Sequence, residues 1–230
     1  MDPKSALIVG AGSGLSASLA RLFARKGLQV ALASRNPDRL AKLAEETAAA
    51  TFACEASEPE EVAGLFDVVV ATQGEPDIVV YNASARARGP VTDLDPGDVA
   101  RAIAVSGYGG FLVAQQASRL MVARGQGAIL LTGASASVKG YANSSAFAMG
   151  KFALRGLAQS MARELSPKGV HVAHFVIDGG IRSATRPDPN ANPDSLLDPD
   201  AIAETYWHVA TQPRSAWTWE VELRPWVENF

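Results

Sequence analysis

The chain has 230 residues, 47% of them hydrophobic and 20% charged, with a formal net charge of −3. That length suits one α/β domain with a proper core, and no basic block is present of the kind a nucleic-acid surface needs. The single cysteine, Cys54, excludes an internal disulfide, and no apolar run is long enough to span a bilayer, so a cytoplasmic protein without membrane or nucleic-acid partners is expected.

Short apolar runs alternate with helical patterns along the chain. "ALIVG" (6–10) precedes an apolar-periodic helix over 14–26. "VALAS" (30–34) precedes a helix over 37–49, and "TFAC" (51–54) one over 58–70. "DIVVYN" (77–82) leads into a longer helical region over 96–124. "GAILLTG" (127–133) leads into a helix over 144–165, and "VHVAHFVI" (170–177) is a further strand. Apolar runs without polar alternation mark strands covered on both faces, and strand–helix alternation at this spacing predicts βαβ units in a parallel sheet. A helix over 200–211 carries Tyr206, Trp207 and His208, which read as packing or interface residues. The tail "WTWEVELRPW" alternates Trp217, Trp219, Val221 and Leu223 with polar residues, as a half-buried edge strand would. No repeat or linker divides the chain, so residues 1–230 form one domain. Residues 184–200, dense in Pro, Asp and Asn, read as a mobile loop after the C-terminal end of a strand. Open α/β sheets bind ligands there. The loop is either a substrate lid or plain surface, and residues 85–95 border the same space.

"LIVGAGSGLSASLA" sets Gly10, Gly12 and Gly14 between the first strand and the first helix. Glycine lets the backbone turn sharply and approach a pyrophosphate, and the helix N-terminus offers free N–H groups. The segment Gly10, Gly12, Ser13, Gly14, Leu15 is therefore a candidate phosphate loop, with a tight structural turn as the bland reading. After the second strand come Ser34, Arg35 and Asn36, with no carboxylate to meet the ribose hydroxyls of NAD. A guanidinium suits the 2′-phosphate of NADP, so NADP is favoured over NAD. The alternative is a solvated surface arginine, and the glycine loop supplies no second basic residue.

These residues resemble the short-chain dehydrogenase/reductase family over nearly the whole chain. The loop is similar to G-x-x-x-G-x-G, with Gly10 and Gly14 matching and Ser16 in the last glycine's place. "YNAS" (81–84) is similar to N-N-A-G, which puts Asn82, Ala83 and Ser84 at the cofactor. "CEAS" (54–57) resembles the stretch whose acidic residue meets the adenine, which marks Glu55 and Ala56. "IDGGIRS" (177–183) resembles P-G-x-(I/V)-x-T, with Gly179, Ile181 and Ser183 near the nicotinamide amide and Asp178 replacing the proline. The resemblance implies a doubly wound Rossmann domain with a parallel seven-stranded sheet in the order 3-2-1-4-5-6-7 and helices on both faces. It also implies a homodimer or homotetramer formed through the helices near 96–124 and 144–165.

The family's catalytic group is Asn, Ser, Tyr and Lys, with the last two in Y-x-x-x-K. Here the matching segment is "FAMGK". Lys151 remains as the ribose ligand, Phe147 takes the tyrosine's place, Ala134 the serine's and Ser106 the asparagine's. Losing a placed proton donor costs about 10²–10⁴ in rate, while aligning the reactants still contributes about 7–11 kcal/mol. Candidate substitutes are Ser135, which could hydrogen-bond a carbonyl oxygen, and Tyr141, a phenol that an ammonium could acidify or simply a loop residue lining the substrate space. His171 and His174 fall on opposite faces of a strand and cannot chelate one metal together, so no metal is expected. Three readings follow: an NADP-dependent oxidoreductase acting on a small carbonyl or alcohol, an NADP-binding sensor or inactive partner subunit, and a scaffold without cofactor.

Overall fold

The structure is a computed structural model, and it describes residues 1–189 and 192–228. Seven strands form one sheet: β1 (Ser5–Val9), β2 (Gln29–Ser34), β3 (Ala50–Ala53), β4 (Ile78–Tyr81), β5 (Gly127–Thr132), β6 (Val170–Ile177) and β7 (Glu220–Leu223), in the order β3-β2-β1-β4-β5-β6-β7. Every pairing is parallel. The helices are α1 (Leu15–Arg25), α2 (Ala41–Thr47), α3 (Pro59–Gln73), α4 (Pro96–Ile103), α5 (Gly109–Arg124), α6 (Ser145–Leu165) and α7 (Pro199–Ala210). None of the described helices is long and apolar enough to cross a membrane.

Because side chains alternate across a strand, each apolar run divides between two cores. Ile8, Leu32, Val80, Leu130 and Phe175 face α1, α2 and α7, together with Leu19, Phe23, Leu43 and Tyr206. Leu7, Ala31, Val79, Ile129 and Val172 face α3, α5 and α6, with Phe66, Val113 and Leu154. Fully burying one such leucine or isoleucine contributes about 1.5–3 kcal/mol. This double coverage is why the strands show no polar alternation.

Register places the site. Val9 lies level with Ala33 and with Tyr81, so the chain leaves β1, β2 and β4 along one sheet edge. The strand order reverses between β1 and β4, and open sheets of this kind bind ligands in that crevice.

Two expected elements differ in detail. The helical region over 96–124 is broken by a π-helical turn, Ala104–Tyr108. The glycines beside it allow close approach: a Cβ on Gly109 would lie 2.4 Å from the Tyr81 hydroxyl and 2.6 Å from the Ala56 carbonyl oxygen. Tyr81 donates its hydroxyl hydrogen to the Val105 carbonyl within the turn, which satisfies a backbone acceptor there. The tail alternation holds only for Val221 and Leu223, which join the α7-side core. Trp219 precedes the strand and lies with Arg155 on α6, whose guanidinium carbon is 5.8 Å from the ring centre. Trp217 stacks on His171 at 4.6 Å.

Candidate functional site

A cleft runs along the C-terminal strand ends and holds two adjoining cavities. The first, of about 440 Å³, is lined by Gly10, Gly12, Ser13, Ser34, Arg35, Asn36, Glu55, Ala56, Asn82, Ala83 and Ser84. The second, of about 590 Å³, shares Asn82 and Ser84 and adds Ala134, Ser135, Tyr141, Phe147, Lys151, Gly179 and Ile181. The chain thus gathers at one place most of the residues that the sequence marked.

Gly10 has φ +84°, and a Cβ there would lie 2.2 Å from the Ala83 nitrogen. Only glycine fits, because the loops after β1 and β4 touch at this point. Ser16 fastens the same turn. Its hydroxyl donates to the Gly10 carbonyl at 3.0 Å and accepts from the Asn82 side-chain amide at 2.7 Å. The serine in the last glycine's place is therefore a staple between the glycine turn and the end of β4, a role that its sequence position did not indicate. Helix α1 starts at Gly14 without a side-chain cap, whereas Asp95 and Asp198 cap α4 and α7. An uncapped N-terminus keeps donors available for an anion.

Around the end of β2 lie Arg35 and, four residues on, Arg39, which lines the same cavity. Arg39 is the second basic residue that the glycine loop lacks. It comes from the 3-10 turn Pro37–Leu40, and its spacing from Arg35 in "RNPDR" was the available clue. The Arg35 guanidinium sits 3.8 Å from the Glu55 carboxylate. The Ser34 hydroxyl is buried at the cavity wall with no hydrogen-bond partner among the described residues. A polar atom in that state takes its partner from an ordered water or a ligand, and with the Gly10 cradle the pocket fits an adenosine phosphate. Cys54 also borders this cavity, but burial, aided by Glu61 and Glu55, pushes its thiol up to about 11, so it is inert.

In the second cavity, Lys151 on α6 is buried, and its ammonium donates to the Thr132 carbonyl at 2.7 Å. Burial, with the charge of Arg86 as a smaller cause, brings its pKa down to about 7. Phe147, one turn earlier, is buried with its ring 5.8 Å from that ammonium. The Arg86 guanidinium stacks on the Phe147 ring at 4.0 Å. Arg86, Arg88 and Arg186 all border this cavity and were not singled out from the sequence, although residues 85–95 were expected near it. Asp178 is buried, and Lys139 at 3.4 Å and Arg224 at 3.2 Å neutralise it.

Some marked residues sit elsewhere. Ser106 does not reach the cavity. It is fully buried in the π-helical turn, where its hydroxyl accepts from the Ala85 N–H at 3.1 Å and donates to the Ala85 carbonyl at 3.2 Å. It anchors the loop that carries Arg86 and touches no reacting position. The Leu15 side chain is buried in the α7-side core, so only its backbone faces the phosphate loop. Gly14 and Ser183 line a neighbouring groove with Ser13 and Arg182, and the Ser183 hydroxyl lies 3.3 Å from that of Thr185. Tyr141 is half exposed at the rim. His171 bonds the Thr218 carbonyl and His174 pairs with Glu220, on opposite sheet faces. Arg182, just before the 184–200 segment, pairs with its Asp188 and Asp198, and Asp188 accepts from the Leu196 N–H. Residues 190 and 191 of that segment lie outside the described residues.

A doubly wound sheet with a glycine cradle at its switch point defines a dinucleotide-binding class of protein. The family model for short-chain dehydrogenases matches residues 4–193, and the chain belongs to that family. It is 28% identical over 231 residues to an uncharacterized oxidoreductase of Staphylococcus aureus strain N315, covering 98% of each chain. A short-chain dehydrogenase from Rhodopseudomonas palustris superposes with a TM-score of 0.85 at 33% identity, covering 97% of this chain and 99% of that one. A metagenomic short-chain oxidoreductase crystallised in complex with NADP superposes with a TM-score of 0.84 at 27% identity, covering 96% and 97%.

Proposed function

We propose that the protein is an NADP-dependent oxidoreductase that moves hydride between nicotinamide and a small carbonyl or alcohol. Phe147 and Ala134 stand where its family places two hydroxyls. The observation that carries this reading is the first cavity: two arginines and an unpartnered buried hydroxyl, Ser34, surround a pocket beside the Gly10 turn. The metagenomic relative that holds NADP adds support. Arg35 and Arg39 would take the 2′-phosphate, the Gly10–Leu15 backbone the diphosphate, and Glu55 and Ala56 would border the adenine. Lys151 would hold the nicotinamide ribose, with Gly179 and Ile181 towards the nicotinamide amide.

When bound, NADPH supplies the hydride. The proton for the carbonyl oxygen must come from elsewhere, and the Phe147 ring cannot give one. Lys151 is the buried group whose ammonium releases a proton near neutral pH. Ser135 borders the cavity and can donate a hydrogen bond to the same oxygen, and Tyr141 at the rim is the alternative acid. Arg86 places fixed positive charge where negative charge develops. The 184–200 loop, through Arg186, walls the substrate space. Tyr108, Phe111, Met149 and Phe152 are large apolar side chains left exposed by α6 and by the π-helical turn and start of α5. We read them as the surface that pairs copies into a homodimer or homotetramer.

A second reading, an NADP-binding sensor or inactive partner subunit, draws on the missing hydroxyls at positions 134 and 147. NADPH fluorescence should shift on mixing, and Arg35→Ala or Arg39→Ala should weaken that binding about ten-fold or more while leaving NADH unaffected. No shift with either dinucleotide sinks both readings. Turnover on a panel of aldehydes, ketones and alcohols then separates them. An active native enzyme should gain about 10²–10⁴ in rate from Phe147→Tyr with Ala134→Ser. A silent native protein that the double variant awakens favours the inactive partner.

A further inference from the structure

The second cavity carries an unbalanced charge. Arg86, Arg88 and Arg186 border it together with Lys151, against two acids, Asp178 and Glu228. Asp178 is already engaged by Lys139 and Arg224, at 3.4 Å and 3.2 Å. Among the described residues, no carboxylate lies within ion-pair distance of the three guanidinium groups. They are close enough that the charges of Arg88 and Arg186, added to burial, pull the Arg86 pKa below its usual value. All three arginines are exposed, so water solvates their charge and the cavity mouth presents a net positive face to an incoming anion.

Arg86 is also held in place. Its guanidinium lies 4.0 Å from the Phe147 ring centre, a stacking that suits arginine and not lysine. The loop beneath it is fastened on both backbone groups of Ala85 by Ser106. On the far side, the Arg186 head group approaches Gly180, whose added Cβ would meet its Nη1 at 3.2 Å, and the 183–186 turn is closed by the Ser183–Arg186 bridge. Two separately anchored loops therefore bring arginines to one cavity that Phe147 also lines.

We propose that this cavity selects carbonyl compounds bearing an oxyanion, a carboxylate or a phosphate, whose charge Arg86, Arg88 and Arg186 receive. Guanidinium forks match such groups with paired, charge-assisted hydrogen bonds. With the anion fixed there, the carbonyl carbon lies towards Lys151. The proposal takes the second cavity as the substrate site of the oxidoreductase reading and narrows its substrate.

The test uses the full-length protein and binding as its first readout. Calorimetry compares two charged and uncharged pairs, acetoacetate with its methyl ester and glycerone phosphate with dihydroxyacetone, each with and without NADPH. At least one charged member should bind about ten-fold or more tightly than its neutral twin. Discrimination in the first pair assigns a carboxylate, and in the second a phosphate. Arg86→Gln, Arg88→Gln and Arg186→Gln should each erode that preference while NADPH fluorescence is retained. Raising salt from about 0.05 M to about 0.5 M should weaken the charged ligand alone. Equal binding within both pairs overturns the proposal, as does a triple Gln variant that keeps the preference. Charge-selective binding with no hydride transfer to any compound would uphold this proposal and defeat the oxidoreductase reading instead.

Discussion

Lys151 is a buried cation whose hydrogen-bond partner is a carbonyl, that of Thr132. Burial, and then Arg86, lower its pKa from 10.5 to about 7. Between those two values the unfolded chain keeps the proton and the folded chain has released it. The unfolded state then binds more protons, so stability rises with pH across that window, and the cost of the buried charge is borne in full below it. Lys151→Met should remove this dependence. The stability difference between wild type and variant should climb by about 1.4 kcal/mol per pH unit at its steepest. Urea denaturation at intervals from about pH 7 to about pH 10 reads it, and a flat difference would mean that the ammonium is not held out of water. Lys151 and Phe147 were legible from the resemblance of "FAMGK" to Y-x-x-x-K. Arg86, stacked on Phe147, was not, because a cation–ring contact between a loop and a distant helix leaves no local pattern.

The elements at the sheet's far edge are joined by one carboxylate. Glu220 on β7 accepts from Arg155 on α6 through both its oxygens, at 2.6 Å and 2.8 Å, and pairs with His174 on β6 at 3.0 Å. Burial alone would raise the pKa of Glu220, but the hydrogen bond and charge of Arg155, with those of His174, bring it below the usual carboxylate value. A depressed carboxylate stabilises the fold above its unfolded pKa, and this contribution disappears as pH falls through the folded value. Glu220→Gln should therefore destabilise the protein by about 1.5–3 kcal/mol at pH 7, and by progressively less below about pH 4.5. Chemical denaturation at both acidities measures it, and an equal loss at each would show that packing, not charge, joins the strands. Arg155 is one turn beyond Lys151, so this brace also steadies the helix that holds the ammonium. The tail's period-2 alternation announced an edge strand in the sequence. Its length did not follow, because Trp217 and Trp219 are engaged by His171 and Arg155 before strand pairing begins.

At the scale of the molecule, the cleft draws its walls from segments after all seven strands, and a ligand there bridges elements from both halves of the sheet. Binding to the folded state alone must raise stability, by about 2.7 kcal/mol at one hundred times Kd. NADPH should therefore raise Tm in a concentration-dependent way, and Arg35→Ala should shrink the shift at fixed NADPH. A Tm indifferent to NADPH would contradict the proposed cofactor site. The π-helical turn belongs to this scale too: it lies next to Gly109, which lets α5 close against Tyr81 and Ala56, and it carries the serine that anchors the Arg86 loop.

Periodicity and glycine placement, by themselves, determined the strand–helix alternation and the glycine turn after β1. Each is a local property of the backbone and of which residues can be buried. The tertiary structure alone decided that Arg39 joins Arg35, that Ser106 serves as an anchor outside the cavity, and that three arginines line one cavity with Phe147. These outcomes depend on where separate loops converge in space, and convergence is fixed by packing across the sheet, which no single stretch of chain records.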